Sequence, residues 1–214
     1  MAPIFPRELP DYRLVKATFA LVDAVRSSVS HTGSRINRTR TADPTWTLDV
    51  ETTPRWPDEK RPWTSWKNSM RGGLRLFLAC DVTRTPAAYP DARTPQDIAP
   101  GWSGTASVSS LGASGLLGLS GLPAGYRLSV GDRIGIEQAG HFGYYEVDED
   151  VNASGTGSAS VTVSPFLHTR LFTVGAVARL WLPKAKFILD GQSWQDDGGA
   201  APSPISFRAT QQVF

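Results

Sequence analysis

Apolar and polar residues alternate with a period of two through much of this chain, the signature of strands buried on one face. Tyr12–Ser30 reads as β, with Phe19, Leu21 and Val25 at even spacings and Val and Thr frequent. A turn is expected at His31–Arg35, and Thr45–Thr52 then places Trp46, Leu48 and Val50 on one face. Pro54–Pro62 is charged and proline-rich and reads as a connection. The period becomes helical in Trp63–Asp81, WTSWKNSMRGGLRLFLACD. There Trp66, Met70, Leu74, Phe77 and Leu78 recur, and Thr64 or Ser65 can cap the start. Gly72 and Gly73 each cost roughly 1 kcal/mol relative to Ala inside a helix. They imply close approach of the helix to a sheet, or a break in it.

Thr85–Pro100 is polar and proline-rich and reads as a domain boundary. Short strands follow at Thr105–Ser109, Arg133–Glu137, Tyr144–Val147, Ala159–Val163 and Val177–Leu180, spaced as in a five- or six-stranded barrel or sandwich. Pro183 interrupts the series. Lys186–Leu189 and Ile205–Ala209, separated by a long hairpin loop, are expected to return to the first domain. The organisation read from the pattern is a β domain of residues 1–90 and 183–214, with a second β domain, residues 100–182, inserted into it.

Composition narrows the function classes. Forty per cent apolar and 20% charged residues fit a globular chain, and 20 Gly with 16 Pro fit many turns. A formal charge of +2 does not by itself imply a nucleic-acid or membrane partner. Arg26–Arg40 holds four Arg and no acid, either a solvated hairpin face or a cationic rim. Cys80 is the only cysteine, so an intrachain disulfide is impossible and a reducing compartment is consistent. The N-terminal residues lack a signal-peptide pattern, and the longest apolar run, near Gly115–Leu122, is too short to span a bilayer. A soluble protein is expected.

The chemical motifs fail at their decisive positions. DEDVNASG, Asp148–Gly155, begins like a calcium loop, but Ala153 replaces the turn glycine and Ala159 the bidentate glutamate. The glycines at 112, 115, 118 and 121 are too few for a collagen repeat, and GTGSAS at Gly155–Ser160 lacks the last glycine of a dinucleotide loop. His31, His141 and His168 have no metal-ligand spacing, and no serine lies in a G-x-S-x-G elbow. A non-enzyme without metal or cofactor is expected. Among the seven tryptophans, Trp46 lies on an alternating face and reads as core. Trp56 and Trp63 sit among prolines and charges and are the candidates for an intersubunit contact.

One longer pattern is more specific. GLPAG–Y–x–L–x–x–GD–x–I–x–I from Gly121, then YYEV, then GxGxxxVxVSPFL, resembles the inserted β domain of tail proteins from long-tailed bacteriophages and related gene-transfer agents. Ser65–Asp81 is similar to the helix of their tail-tube-like domain, and LWLPKAKFILDG with PISFRATQQVF to its closing strands. The resemblance implies a mainly β fold: a tail-tube-like β-sandwich or barrel with one helix, carrying a small inserted β-barrel. It implies a structural virion protein, a distal tail protein whose hexameric ring joins the tail tube to the hub and baseplate proteins of the tip. Such a protein is made in the host cytoplasm, enters no membrane and meets DNA only in transit through the channel. The other readings are a tail tube or tail-terminator protein, or a carbohydrate-binding host-recognition module using Phe142, Tyr144 and Tyr145, of which alternation buries one tyrosine. A cell-wall hydrolase is the remaining class.

Overall fold

The computed structural model describes residues 4–29, 33, 36–112 and 114–213. The expected turn at His31–Arg35 lies outside them, but for Gly33. Strands β1 (Arg7–Glu8) and β2 (Leu14–Val22) are followed by the hairpin β3 (Val25–Val29) and β4 (Ile36–Arg40), then by β5 (Thr45–Thr52). Helix α1 (Pro57–Ser69) and a 3-10 turn (Arg71–Gly73) lead into β6 (Leu76–Cys80), and the single-turn helix α2 (Pro95–Ile98) precedes β7 (Thr105–Leu111). Next come β8 (Leu116–Ser120), β9 (Arg127–Leu128), β10 (Arg133–Gln138), β11 (His141–Val147), β12 (Val151–Asn152), β13 (Ser158–Ser164) and β14 (Val177–Arg179). The series ends with β15 (Lys184–Asp196) and β16 (Ile205–Gln211). No helix among the described residues is long and apolar enough to cross a membrane.

The protein is mainly β, with one main helix. Six strands form an open sheet in the order β1-β6-β15-β16-β5-β2, and six others a closed barrel, β10-β11-β13-β8-β7-β14. The sheet therefore draws on both ends of the sequence, while every barrel strand comes from the stretch between. All five strands expected in that stretch belong to the barrel. The sixth, β8, runs through the glycine-spaced segment, where Gly118 lies opposite Ser110 on one side and Ser160 on the other.

Alternation does what the pattern promises in β5, where Trp46, Leu48, Val50 and Thr52 are buried and the residues between them are half-buried. Phe207, Phe187 and Phe77 extend the same apolar face across β16, β15 and β6. Helix α1 covers part of it with Trp63, Trp66 and the neighbouring Met70. Full burial of each such side chain contributes about 1.5–3 kcal/mol.

The helix does not lie where its spacing predicted. It starts at Pro57, whose fixed φ suits the first helical position, and the Glu59 carboxylate accepts the Trp56 N–H at 3.1 Å. The prolines and charges that read as a connection are thus a helix start. It stops at Ser69 because Arg71, Gly72 and Gly73 take φ of 50°, 66° and 100°. A Cβ on Gly73 would lie 2.6 Å from the Leu189 oxygen, so both readings of the glycine pair apply: they break the helix and admit the sheet. Beyond them, Phe77 and Leu78 belong to β6, and Leu74 is exposed.

The boundary-like stretch before β7 is packed rather than free. Tyr89 stacks on Tyr126 at 5.2 Å, and Trp102 lies 4.9 Å from the same ring. The Asp132 carboxylate accepts the Ala87 N–H and the Ser129 N–H, both at 2.8 Å, which ties this segment to the barrel.

Candidate interaction surface

Strand β11 separates the two tyrosines that were candidates for a stacking platform. Tyr144 points into the sheet core and Tyr145 into the barrel core, each 1% exposed. The expectation that one of them is free is therefore corrected: β11 is buried on both sides, because sheet and barrel pack against opposite faces of it. Burial pushes both phenols well above their ordinary pKa. Phe142 is half-buried, with the Lys186 ammonium 5.5 Å from its ring centre.

The two interface candidates also part company. Trp56 is 59% exposed, whereas Trp63 is fully buried. Trp63 packs against Trp66 and Phe207, with the Arg55 guanidinium 5.4 Å from its ring. It has no surface left for a neighbouring subunit, which corrects its proposed interface role. The cause is the earlier helix start: with Pro57 at the first position, Lys60, Trp63 and Trp66 all fall on the buried side of α1.

The acidic run does not converge on a point. Asp150 accepts the Val130 N–H at 2.9 Å and pairs with Arg127 at 2.7 Å, and these bonds hold its carboxyl below the usual range. Asp148 accepts the Ser164 hydroxyl, and Glu149 the Thr162 hydroxyl. Asp148 and Glu149 thus brace β13 while Asp150 braces the β9–β10 turn, and no group of three or more His, Cys, Asp or Glu among the described residues is arranged to hold a metal. His31 lies outside the described residues. His141 opens β11, and partial burial lowers the pKa of His168. A polar hollow of about 320 Å³ on the outer sheet face is lined by Lys16, Asp49, Glu51 and Arg208 among others, and an Asp49–Arg208 ion pair at 3.1 Å crosses it.

Two features remain open toward solvent. Strand β2 is an edge of the sheet, nine residues long, LVKATFALV, with Lys16 its one charge. Val15 and Val22 on it are 65% and 49% exposed. The Arg-rich segment forms a two-stranded arm: β3 and β4 pair only with each other, and all ten of their residues are exposed. At its base the Arg40 guanidinium bonds Asp23 at 3.3 Å and lies 4.7 Å from the Phe166 ring of the barrel.

Lys60 in α1 and Arg55 just before it are buried cations that staple distant loops. Lys60 uses all three ammonium hydrogens, on Asp196 (2.6 Å), the Asp197 oxygen (2.8 Å) and the Ser203 hydroxyl (2.6 Å). Arg55 reaches Asp11 at 2.5 Å and the Arg13 oxygen at 3.2 Å. No local pattern marks these residues, since their partners are far away in sequence. No known protein-family model matches the chain, and no curated protein is significantly similar to it.

Proposed function

We propose that this chain is a structural protein of a phage-like tail, a distal tail protein whose closed sixfold ring joins the tail tube to the hub and baseplate proteins of the tip. The observation that carries the reading is the open edge at β2. A long, apolar strand with unpaired N–H and C=O groups is a template for pairing with another chain, and proteins rarely leave one uncovered. Among the described residues, one lysine and a bulge between Leu14 and Lys16 are what protects it.

The opposite edge is capped by β1 over Phe77 and Leu78 alone. A head-to-tail contact, β2 of one copy against the β1–β6 edge of the next, covers both edges, and a closed ring does so without open-ended growth. The phage-like GLPAG…GD pattern, which spans the turn into β9, β9 itself and the turn into β10, supports the tail assignment within that assembly class. In the ring, the sheet lies toward the channel and the barrel outside.

Electron microscopy of the purified protein and of particles that contain it tests the reading. Sixfold rings at the end of a tube are expected. A strictly monomeric protein in the assembled particle would overturn it.

A further inference from the structure

We infer that the β3–β4 arm grips a second copy of this chain, with Val29 and Ile36 as its apolar contact and Arg38 as its charged one. The inference rests on the assembly reading only in naming a second copy as the partner; the arm itself is argued from its own residues.

The register sorts the arm into two unlike faces. Val25 lies opposite Arg40, Ser27 opposite Arg38, and Val29 opposite Ile36. Directly opposed residues share a face, as do residues two apart, so these six side chains form one face. Arg26, Ser28, Asn37 and Thr39 form the other. The first face holds all three exposed apolar residues of the arm, Val25, Val29 and Ile36, at 47%, 63% and 60% exposure. An isolated two-stranded ribbon is marginal in water, and an amphipathic one gains stability when something covers its apolar face.

Among the described residues, the arm meets the barrel at its base, where the Arg40 guanidinium lies over the Phe166 ring. From Val25 to Val29 the ribbon rises by about 14 Å at the usual strand spacing, so the outer Val29–Ile36 pair is offered to another molecule. Charge selects which. Residues 24–42 contain four Arg and no Lys, Asp or Glu, a charge of +4. The whole chain carries +2, so the rest of it carries −2. A second copy therefore presents the arm with a body of opposite sign. A nucleic acid would satisfy the arginines and leave Val29 and Ile36 in contact with phosphate or water, so it is the poorer match.

The test uses the full chain. A photoreactive amino acid in place of Ile36 should, on irradiation of a concentrated solution, join two protein copies. The variant Val29→Asp/Ile36→Asp should keep the wild-type thermal midpoint and weaken self-association in a light-scattering concentration series by roughly tenfold or more. Adducts confined to one chain, adducts to nucleic acid, or association unchanged in the double variant would each overturn the inference. Arm-dependent association without sixfold rings would uphold the arm and defeat the tail reading, whereas sixfold rings indifferent to the double variant would do the reverse.

Discussion

The indole N–H of Trp46 donates to the main-chain oxygen of Tyr144 over 2.8 Å, bonding a strand of the sheet to a strand of the barrel. The Tyr144 ring meets Trp46 edge-on at 5.4 Å and stacks on Phe19 at 5.7 Å, and the Arg133 guanidinium lies 4.3 Å from the Trp46 ring. Sheet and barrel thus share one aromatic joint, and Tyr144 belongs to the core of the sheet although its strand belongs to the barrel.

Removing either side of that joint should unsettle both units. Trp46→Ala and Tyr144→Ala are each expected to cost roughly 3–5 kcal/mol, as for other buried aromatics. Because the two rings touch, the double variant should lose less than the sum of the singles. Chemical denaturation of the four proteins measures this. Additive losses would show that the rings act independently.

The barrel should fold on its own, but its packed lead matters. A fragment of residues 85–182 is expected to melt cooperatively and at a higher temperature than one of residues 100–182. The shorter piece lacks the Tyr89–Tyr126 stack and the Ala87 N–H bond to Asp132. Circular dichroism on heating compares them. Equal midpoints would mean that the 85–99 segment only leans on the barrel.

The tryptophan pair should split sharply. Trp63→Ala is expected to destabilise the subunit by roughly 3–5 kcal/mol, since it opens a cavity beneath α1. Trp56→Ala, at an exposed site, should stay within about 0.5 kcal/mol. Thermal unfolding of the single subunit ranks them, and a mild Trp63 variant would contradict its placement in the core.

Acid should act on the Asp11–Arg55 pair. Burial raises the Asp11 pKa, but the hydrogen bonds from Arg55 and the Arg13 N–H, with the Arg55 charge, outweigh it and hold the carboxyl below its ordinary 3.8. A carboxyl lowered on folding adds stability that is fully present above the unfolded value and is lost as pH falls through the folded one. Wild type should therefore exceed Asp11→Asn in stability at neutral pH. The gap should hold down to about pH 4 and close below it. A gap that persists at pH 2 would assign the difference to packing instead of charge.

The β10–β11 hairpin has a residue to spare for improvement. Gln138 pairs with His141 across a two-residue turn in which Ala139 has φ 49° and Gly140 φ 80°. Left-handed backbone suits Asn better than Ala at the first turn position. Ala139→Asn is expected to add about 0.5–1 kcal/mol, read as a higher denaturation midpoint, and a lower one would refute the argument.

Local periodicity is legible in the chain alone. Alternation at Trp46–Leu48–Val50 marked a one-sided strand, the spaced short strands marked a barrel or sandwich, and the two final strands read as a return to the first domain. These follow from which side of a pleat each residue occupies, a property of neighbours in the chain. Helix placement failed where local signals conflicted, with prolines at a helix start read as breakers and a chance spacing carried past Gly73 into β6. Long-range packing buries both Tyr144 and Tyr145, makes Trp63 core, and brings Lys60 and Arg55 to distant acids. It also left β2 open and sent the arm outward. Each of these depends on which surface packs against which, and contacts between residues far apart in sequence leave no period in the chain to be read.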